Sequence, residues 1–505
     1  MRKIVSILLA SLLVTTSFFT GCKKKEEPTN NKNLKADIVV IGGGGAGMAA
    51  ALQSSQNGAK NVVVLEKMPQ TGGNTVYATA GLNAAQTKEQ AAKGIKDSVE
   101  LMVEDTLKGG KNINDVELVK TLAKNSAGAV EWIEQIGGDL SDVGRGGGAS
   151  VDRVHRPAGG AAIGPMLVKI LNENLEKSSI PVMLDTTVTE IMLNDKGAIK
   201  GVKAKNKDGD FEIECKAVVL ACGGFGANLE MVVKNNPNLK GFKTTNHEGA
   251  TGDGIVMAKN IGAALVDMKE IQTHPTVEPT TATMYTEAVR GNGAILVNKD
   301  AKRFINELET RDVVSAAILE QKDQISYLVF DQNVRESLSA IEKYITKGII
   351  KEADTIEGLA KELNIDPNTL KATIEQYNGY VKSGTDTDFS RKDMKLELNK
   401  PNYYAGICAP AIHHTMGGVK INTSAEIIDT NNKKIEGLFG AGEVTGGVHG
   451  GNRLAGTAMT DIIVYGKIAG DSATKYVQAN GGYTDPTIKI EKEEMPATPE
   501  KKGNF

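Results

Sequence analysis

A short apolar run followed at once by a cluster of glycines is the feature that most restricts the fold of this chain. Residues 36–41 are rich in β-branched side chains and predict a buried parallel strand. The cluster fits the pattern G-x-G-x-x-G at Gly42, Gly44 and Gly47, and an alanine-rich, helix-forming stretch follows it. A second apolar run ends at Glu66, 19 residues after Gly47, where a ribose-binding acid is expected. Strand, turn, helix, strand and acid in this order predict a dinucleotide site.

Glycine makes up 56 of the 505 residues, against a usual share of about 7%. The chain has no Gly-X-Y period and only 14 prolines, which excludes a collagen-like or low-complexity protein. At the first turn, glycines let a pyrophosphate approach the N-terminus of the helix, whose dipole and free N–H groups attract anions. The charge is almost balanced, with Lys+Arg 59 against Asp+Glu 62, and this argues against a nucleic-acid-binding protein.

The N-terminus is typical of a targeting segment. Two basic residues precede an uncharged, mostly apolar stretch at 4–19, which is short for a membrane span of about 20 apolar residues. Cys22 follows small residues and resembles the lipobox of bacterial lipoproteins, so 1–21 is predicted to be a lipoprotein signal peptide and Cys22 the lipidated residue. An ordinary signal peptide with an incidental cysteine is the alternative. Residues 22–35 would be a polar tether, and the protein would be lipid-anchored at the cell membrane, facing the cell surface or the periplasm.

Cysteine and histidine patterns exclude several classes of metal and haem protein. Cys215, Cys222 and Cys408 are the cysteines beyond Cys22, an odd and sparse set that does not form a disulfide framework. The sequence has no C-x-x-C-H haem motif and no C-x-x-C metal pair, and its six histidines lack a spacing such as H-x-x-x-H. We therefore predict no metal site, and redox chemistry would come from an organic cofactor.

Further glycine motifs recur along the chain: G-G-N-T at 72–75, A-G-L-N-A-A at 80–85, a strand ending in a diglycine at 217–225, and G-A-G-E at 440–443. This set resembles the FAD-binding pattern of the succinate dehydrogenase/fumarate reductase flavoprotein superfamily. The resemblance implies an α/β protein, with a Rossmann-like (GR2-type) FAD-binding domain and an inserted α+β capping domain. It covers the chain from about residue 36 to about residue 473.

The resemblance also implies how FAD is held. Glu443 would bind the ribityl chain, and His414 would lie beside the N1/O2 region of the isoalloxazine ring and stabilise the reduced flavin anion. Asn74 stands near the place where membrane quinol enzymes attach flavin to a histidine, so the FAD is expected to be non-covalent. Cys222 replaces a threonine that is usual in the family. The full set of implied FAD-binding residues is Gly42, Gly44, Ala46, Gly47, Glu66, Gly73, Asn74, Thr75, Gly81, Asn83, Gly224, Asp253, His414, Gly442, Glu443 and Leu454.

A second group of motifs closely resembles the soluble, flavocytochrome-type fumarate reductases. They are T-M-Y-T-E-A-V-R at 283–290, R-F-I-N-E-L-E-T-R-D at 303–312, H-H-T-M-G-G at 413–418 and G-N-R-L at 451–454. Taken without this context, their charged residues would be a solvated ion-pair network. The motifs keep the order and spacing of the family, which favours a site.

Carried over by position, the resemblance implies a pocket for a dicarboxylate. His413 and Arg453 would bind one carboxylate, and His274 and Thr286 the other. Met284 would form part of the pocket wall and polarise the substrate. Two anionic ends require two groups of cations or donors, and arginine suits bidentate carboxylate binding. Clamping both ends would hold the alkene near flavin N5 for hydride transfer.

The same resemblance implies that Arg311 donates the proton. Arginine is normally treated as permanently protonated, with a pKa above about 12. For Arg311 to act as an acid it must be reprotonated promptly, and a relay through Glu287 and Arg290 would do this.

The motifs also predict the division of the chain. Residues 36–268 and 396–485 would form the two parts of the FAD-binding domain, and 269–395 the capping (clamp) domain. Two polar helices are predicted within the cap, around 355–363 and 367–380. The tail at 486–505 is rich in Lys, Glu and Pro and is predicted to be disordered.

The implied function is the reduction of fumarate to succinate in anaerobic respiration outside the cytoplasm. One alternative is reduction of another α,β-unsaturated carboxylate, such as urocanate, acrylate, methacrylate or a cinnamate. Another is a surface flavin electron carrier without a substrate, which would not need Arg311 or His413. A ketosteroid dehydrogenase is disfavoured, because that chemistry needs tyrosines. The electron donor would be a separate protein: a cytochrome, a flavinylated protein or a quinol-linked membrane protein.

Overall fold

The computed structural model of the protein describes residues 34–482 and residue 488. The predicted signal peptide at 1–21 and the lipidation site Cys22 lie outside the described residues, as do nearly all of the tether and of the tail at 486–505. Residues 34–35, the end of the predicted tether, form a strand, and Leu34 packs against the hydrophobic core described below. Within the described part of the chain, no helix is both long and apolar enough to cross a membrane.

The strands of the described residues are mostly short and lie in five sheets. In chain order they are β1 Leu34–Lys35, β2 Ile38–Ile41, β3 Val62–Leu65, β4 Leu82–Asn83, β5 Asp142–Gly144, β6 Val154–Arg156, β7 Val182–Met183, β8 Thr187–Leu193, β9 Ile199–Asn206, β10 Gly209–Glu214, β11 Ala217–Leu220, β12 Leu265–Val266, β13 Ile271–Val277, β14 Ile295–Val297, β15 Ser326–Asp331, β16 Ile350–Ala353, β17 Tyr403–Thr415, β18 Gly418–Lys420, β19 Glu426–Ile428, β20 Lys434–Gly440 and β21 Thr445–Gly446.

The α-helices range from a single turn to 23 residues. They are α1 Gly45–Gln56, α2 Lys88–Ala92, α3 Val99–Gly109, α4 Val116–Lys124, α5 Ser126–Gln135, α6 Ile163–Lys177, α7 Leu229–Asn235, α8 Asp253–Asn260, α9 Ala288–Gly291, α10 Arg311–Leu319, α11 Gln332–Glu336, α12 Ala340–Thr346, α13 Ile356–Leu363, α14 Pro367–Ser383 and α15 Thr457–Ala479.

A six-stranded sheet in the order β19-β20-β11-β2-β3-β7 is the centre of the first core. Its neighbouring strands are parallel except for the β19–β20 pair. β2, β3 and β11 are buried along their whole length, as expected for apolar strands covered on both faces. Helices α1 and α15 pack closely on each other beside this sheet. The dinucleotide turn therefore stands at the carboxyl end of β2, in the middle of the sheet.

A second core has its own sheet, in the order β13-β17-β15-β14 with β16 also paired to β17. All these pairs are antiparallel. The core runs from Tyr285 to Cys408, so it includes the first half of β17, whereas Ile412 in the second half belongs to the first core. β17 thus links the two cores directly. The predicted domain boundaries at residues 268 and 395 stay predictions.

The two helices predicted in the cap are present as α13 and α14, and α14 continues three residues past the predicted end. The side chain of Thr355 accepts a hydrogen bond from the backbone of α13, and Asn364 in the left-handed conformation ends that helix. Asp366 caps α14, and Pro367 occupies its first position. The mixed α/β fold is confirmed, with an antiparallel α+β part inserted between two stretches of the parallel-sheet part.

Candidate active site

The first glycine turn lets two backbone segments meet more closely than any side chain would allow. Gly42 adopts φ +109°, and a Cβ atom at Gly47 would lie 1.9 Å from the carbonyl oxygen of Gly42. Gly45 donates its N–H to Oγ1 of Thr75 at 3.1 Å, while Ala46 is buried in the first turn of α1. Glycine at the first and last positions of G-x-G-x-x-G is therefore required here by geometry.

The carboxylate of Glu66 lies at this turn, at the end of β3. Its Oε2 accepts the N–H of Gly43 at 2.7 Å, and its Oε1 accepts the N–H of Met68 at 2.9 Å. Glu66, the predicted ribose-binding acid, is thus in direct contact with the glycine turn. Asp253, at the start of α8, instead pairs with Lys67 at 2.7 Å.

Glu443 and His414 lie next to each other in a buried polar group. Oε1 of Glu443 accepts the N–H of Thr415 at 2.9 Å and lies 3.6 Å from Nδ1 of His414. Burial raises the pKa of Glu443 and, together with the charge of Arg453, lowers the pKa of His414 well below its ordinary value. Nε2 of His414 is buried and has no hydrogen-bond partner among the described residues.

The segment around Asn74 is held by its amide group. Nδ2 of Asn74 donates to Oδ1 of Asn246 at 2.7 Å and lies 3.4 Å from Oε2 of Glu443, and Oδ1 accepts the N–H of His247 at 2.6 Å. Asn74 and Glu443 are therefore neighbours, although they lie far apart in the sequence. Gly73, with φ +47°, precedes this contact.

The other predicted FAD-binding residues lie around the same turns. Nδ2 of Asn83 donates to the carbonyl oxygen of Ala455 at 2.8 Å, while its Oδ1 is buried without a partner in the described part of the chain. Gly44 forms a backbone bridge with Gly72 and has ordinary room beside it. The other positions leave little room: Gly81 next to His155, Gly224 next to Thr415 and Glu443, Gly442 next to Ala46, and Leu454 next to Gly109 and Gly148.

Gln272 on β13 connects two of the predicted substrate residues. Its Oε1 accepts from Nη1 of Arg311 at 3.1 Å and from Nη2 of Arg453 at 3.0 Å. Its Nε2 donates to Oδ1 of Asn452 at 2.6 Å and to the carbonyl oxygen of Arg453 at 2.7 Å. Burial, followed by the charge of Arg311, lowers the pKa of Arg453 to about 9. The side-chain amide of Gln272 thus holds the buried guanidinium groups of Arg311 and Arg453 close together, despite their like charges.

His274 and His413 lie ring to ring beside these arginines. Their ring centroids are 5.2 Å apart in an edge-to-face arrangement, and Nδ1 of His413 lies 2.8 Å from Oγ1 of Thr245. Burial, followed by the charge of Arg311, lowers the pKa of both histidines well below its ordinary value. Nε2 of His274 is buried and unpartnered among the described residues. The positive charge of this group therefore comes from the arginines, and the histidines contribute neutral hydrogen-bonding atoms.

Thr286 is held on both sides, and Met284 lies close by. The N–H of Thr286 donates to the hydroxyl of Tyr344 at 2.8 Å, and its Oγ1 accepts from Oγ1 of Thr79 at 3.2 Å. Met284 is half-buried and forms a backbone bridge with Val277 of β13.

Glu287 lies next to Arg311, as the predicted relay requires. Oε2 of Glu287 accepts from Nε of Arg311 at 2.8 Å and lies 4.0 Å from Nη2 of Arg290. Burial alone would raise the pKa of Glu287, but the charges of Arg311 and Arg290 outweigh it and hold this pKa at about 2. The side chain is therefore a carboxylate at any ordinary pH.

The second oxygen of Glu287 is bound from the other part of the chain. Oε1 accepts the N–H of Gly147 at 3.2 Å, within a glycine-rich loop of the 36–268 segment. Close by, Lys111 of the same segment pairs with Asp312 at 2.9 Å, immediately after Arg311. Two contacts thus join the segments beside the relay.

Several residues of this site were not predicted: Gln272, Gly147, Asn246, Thr245, Thr79, Tyr344 and the buried pair His449–Asp461. Gln272 is two residues from the predicted substrate residue His274, and the structure places both on β13. The pair of His449 and Asp461, whose Nε2 and Oδ2 lie 3.2 Å apart, places the ring of His449 5.2 Å from that of His414. Among the described residues no cluster of side chains is suited to a metal ion.

Known proteins are similar to this chain in both sequence and fold. The family described as "FAD binding domain" matches residues 37–459. A fumarate reductase (cytochrome) of Shewanella frigidimarina is 51% identical over 428 residues, which are 85% of this chain and 75% of that protein. A solved structure, the open conformation of a flavocytochrome c3 fumarate reductase, has a TM-score of 0.75 at 44% identity and covers 88% of this chain and 79% of that chain.

This chain belongs to the fumarate reductase flavoprotein family. It is an FAD-dependent oxidoreductase, as the glycine motifs predicted. A urocanate reductase of Eggerthella lenta is also similar, with 38% identity over 434 residues, 83% of this chain and 72% of that protein. The family thus includes enzymes named for different substrates.

The residues present fit the FAD of this family. The backbone contact at Gly42 and Gly47 leaves the N-terminus of α1 free of side chains for a pyrophosphate. Buried polar atoms without partners, Nε2 of His414 and Oδ1 of Asn83, offer hydrogen bonds to a group with many polar atoms. Glu66, the predicted ribose-binding acid, lies at the glycine turn, and Glu443 lies beside His414.

Proposed function

We propose that the protein reduces the double bond of fumarate and gives succinate. The observation that carries this proposal is the arrangement of Arg311 and Arg453 on one oxygen of Gln272, beside the rings of His274 and His413. Two buried guanidinium groups with neutral imidazoles around them form a strongly electropositive pocket. A small dianion neutralises such a pocket better than a monoanion or a neutral substrate does.

In this proposal the two carboxylates are bound from opposite sides. Arg453 and His413 bind one carboxylate, and His274 and Thr286 bind the other. The unpartnered Nε2 of His274 supports this role, because a buried polar atom without a partner costs free energy until a ligand binds it. Tyr344 holds the backbone N–H of Thr286, and Thr79 binds its hydroxyl, so both the backbone and the side chain are positioned before the substrate arrives. Met284 closes the wall beside them.

Arg311 is the proposed proton donor. FAD, when bound and reduced, supplies the hydride to one carbon of the double bond. Arg311 then gives a proton to the neighbouring carbon, so that fumarate gains one hydride and one proton in total. Its Nε and Nη1 are occupied by Glu287 and Gln272, and this fixes the direction in which Nη2 points. Arg290 returns a proton to Arg311 through Glu287. Nη2 of Arg290 lies 4.0 Å from Oε2 of Glu287, so the two groups must approach by about 1 Å to reach hydrogen-bonding distance.

A second candidate function is the reduction of a related enoate, and the similarity to a urocanate reductase favours testing it. The test is an assay with reduced viologen as electron donor across fumarate, urocanate, acrylate, methacrylate and cinnamate. We expect the highest kcat/KM with fumarate. A higher value with any monocarboxylate would replace the substrate proposal. Viologen oxidation with none of the five would favour an electron carrier instead.

We also propose that FAD is bound without a covalent link, because Asn74 and not a histidine stands at that segment. Acid precipitation should release all of the flavin into the supernatant. Flavin that stays with the denatured protein would contradict this.

We further propose that the enzyme is lipid-anchored at Cys22, faces the outside of the cytoplasm and takes electrons for anaerobic respiration from a separate donor protein. The support is the N-terminal sequence, with its short apolar stretch before Cys22, and the lack of haem-binding motifs in the chain. Cys22→Ala should abolish incorporation of labelled fatty acid and release the enzyme from membranes, whereas Cys215→Ala should do neither. Labelling that survives in Cys22→Ala would refute the anchor.

A further inference from the structure

We propose that a buried ionic cluster, made of Arg303, Glu307, Asp386 and Arg391, holds the side chain of Arg290 in its working position beside Glu287. None of these four residues belongs to the predicted site. The inference rests on the proposed function, because it gives the cluster a purpose only if Arg290 supplies protons to Glu287.

Glu307 is the centre of the cluster. Its Oε1 and Oε2 accept from Nε and Nη2 of Arg303 at 2.8 and 2.9 Å, and Oε2 also accepts from Nη1 of Arg391 at 2.9 Å. Nη2 of Arg303 reaches Asp386 at 2.9 Å. Oε1 of Glu307 accepts the N–H of Leu296 as well, at 3.2 Å. Every charge of the cluster is therefore paired, and the four charges sum to zero.

The cluster is buried in the cap. The side chains of Glu307, Asp386 and Arg391 are 0% exposed, and that of Arg303 is 5% exposed. Removing charges from water is expensive, and buried ion pairs are often no more stable than apolar side chains of the same size. Stability alone therefore does not explain four charged residues at this place. The contacts of the cluster with its surroundings indicate a further role.

Two of those contacts hold Arg290, one at its backbone carbonyl and one at its guanidinium group. Nη2 of Arg391 donates to the carbonyl oxygen of Arg290 at 2.7 Å, and Nη1 of Arg290 donates to the carbonyl oxygen of Glu307 at 2.5 Å. Nη1 of Arg391 also donates to the carbonyl oxygen of Ala294 at 3.0 Å, just beyond α9. The short helix that carries Arg290 and the guanidinium group itself are thus tied to one rigid unit.

Without this unit the guanidinium group of Arg290 has few restraints. Its Nε and Nη2 are buried without hydrogen-bond partners among the described residues, and Glu287 is 4.0 Å away. A misplacement of about 1 Å away from Glu287, opposite to the approach that proton transfer requires, can cost a reaction roughly a hundredfold in rate. The position of Arg290 therefore depends on the hydrogen bond to Glu307.

Aromatic rings fix the planes of the cluster arginines. The guanidinium carbon of Arg303 lies 5.2 Å from the ring centroid of Tyr377 and 5.1 Å from that of Phe389. The guanidinium carbon of Arg391 lies 5.4 Å from the ring centroid of the same Tyr377. Planar cations stacked on rings keep their donors in one direction. The cluster is thus suited to positioning.

The same geometry argues against a proton path through the cluster. Both links to Arg290 pass through backbone carbonyl oxygens, which hold no transferable proton. The carboxylates of Glu307 and Asp386 face the cluster arginines. Arg391, Glu307 and Arg303 are therefore positioning residues, and they act on the reaction through Arg290.

The test is Arg391→Lys, which keeps the charge but loses the fork that binds two carbonyl oxygens and Glu307 together. We expect kcat to fall roughly tenfold to a hundredfold, with KM changed less than about twofold and with wild-type FAD content. The solvent deuterium isotope effect on kcat should increase, because proton supply becomes slower. Arg335→Lys is the matched control: Arg335 lies in the same cap, pairs with Glu342 and stacks on Tyr404, but it is remote from Arg290 in its contacts. It should leave all these quantities unchanged.

A double variant separates positioning from general damage to the fold. If the cluster acts only through Arg290, adding Arg391→Lys to Arg290→Ala should lower kcat no further. A further drop, or a wild-type kcat in Arg391→Lys while Arg290→Ala is impaired, would overturn the inference. If Arg391→Lys does not fold, Arg303→Lys, which loses the bidentate contact with Glu307, serves in its place.

These outcomes are distinct from failure of the proposed function. The assay uses whichever enoate the wild-type enzyme reduces, so the test stands even if that substrate is not fumarate. A wild-type kcat in Arg290→Ala would overturn both the relay and this inference.

Discussion

Arg311 and Arg453 donate to the same oxygen atom, Oε1 of Gln272, at 3.1 and 3.0 Å. This shared contact fixes the distance between the two guanidinium groups, although Arg311 belongs to α10 and Arg453 to the loop before α15. A proton donor and a carboxylate-binding group are normally free to move apart, because their like charges repel. Here a single neutral amide holds the two groups together, and in the proposed mechanism this couples the orientation of the substrate to the position of the acid.

Replacing Arg311 by alanine should remove proton donation and leave the FAD turn intact. We expect kcat for fumarate reduction to fall by roughly 10²- to 10⁴-fold, the usual contribution of a positioned acid. FAD content, measured by absorbance, should be unchanged. Arg145→Ala, at an exposed ion pair with Asp152, is the control. Full activity in Arg311→Ala would remove this residue from the mechanism.

His274→Ala should weaken binding of a dicarboxylate specifically. A hydrogen bond to a charged group contributes about 1.5–3 kcal/mol, so KM for fumarate should rise roughly tenfold to a hundredfold. KM for acrylate, which has one carboxylate, should change much less, and this serves as an internal control. Equal losses for both substrates would mean that His274 does not bind the second carboxylate.

The lowered pKa of Glu287 predicts how stability depends on pH. The folded-state pKa is about 2 against 4.5 in an unfolded chain, so the pairing with Arg311 and Arg290 stabilises the fold above pH 4.5 and is lost as pH falls toward 2. The loss amounts to up to about 3 kcal/mol, at 1.36 kcal/mol per pKa unit. Denaturant unfolding at several pH values, for wild type and Glu287→Gln, measures it. The difference between the two should shrink as pH falls, and a constant difference would contradict the prediction.

Gly47→Ala should abolish FAD binding or folding, because its Cβ would collide with the carbonyl oxygen of Gly42. Gly128→Ala is the control, since a Cβ there, inside α5, meets no atom within 4 Å. Its stability should stay within about 1 kcal/mol of wild type or rise slightly. Thermal unfolding and the ratio of flavin to protein absorbance report both effects. Normal flavin content in Gly47→Ala would show that the turn tolerates displacement.

The parts of the fold that were predictable from the sequence depend on local patterns. The run at 36–41 and the glycines after it required a buried strand and a tight turn, and β2 and α1 are found there. The two polar helices predicted around 355–363 and 367–380 are likewise found, as α13 and α14. Such features are determined by residues within a few positions of one another.

The contacts missed from the sequence are those between distant segments. Nothing near Gly147 indicates that its N–H binds Glu287, and nothing near Arg391 indicates that it holds Arg290. Nor does any sequence motif indicate that burial among arginines lowers the pKa of His274 and His413, so that both rings are neutral. These properties arise from packing and from the local dielectric, which a sequence pattern does not contain.

The two oxygens of Glu287 report on whether the protein has enclosed its substrate. One is bound by Arg311 from the same segment, and the other by Gly147 from the opposite segment. Parting the segments by little more than an ångström breaks the second bond, and it also strains the Lys111–Asp312 pair next to Arg311. In the proposed mechanism, Arg311 is therefore fully aligned only while the two segments are in contact, so that proton delivery would coincide with exclusion of water. The carboxylate of Glu287 would then couple closure of the pocket to the chemical step.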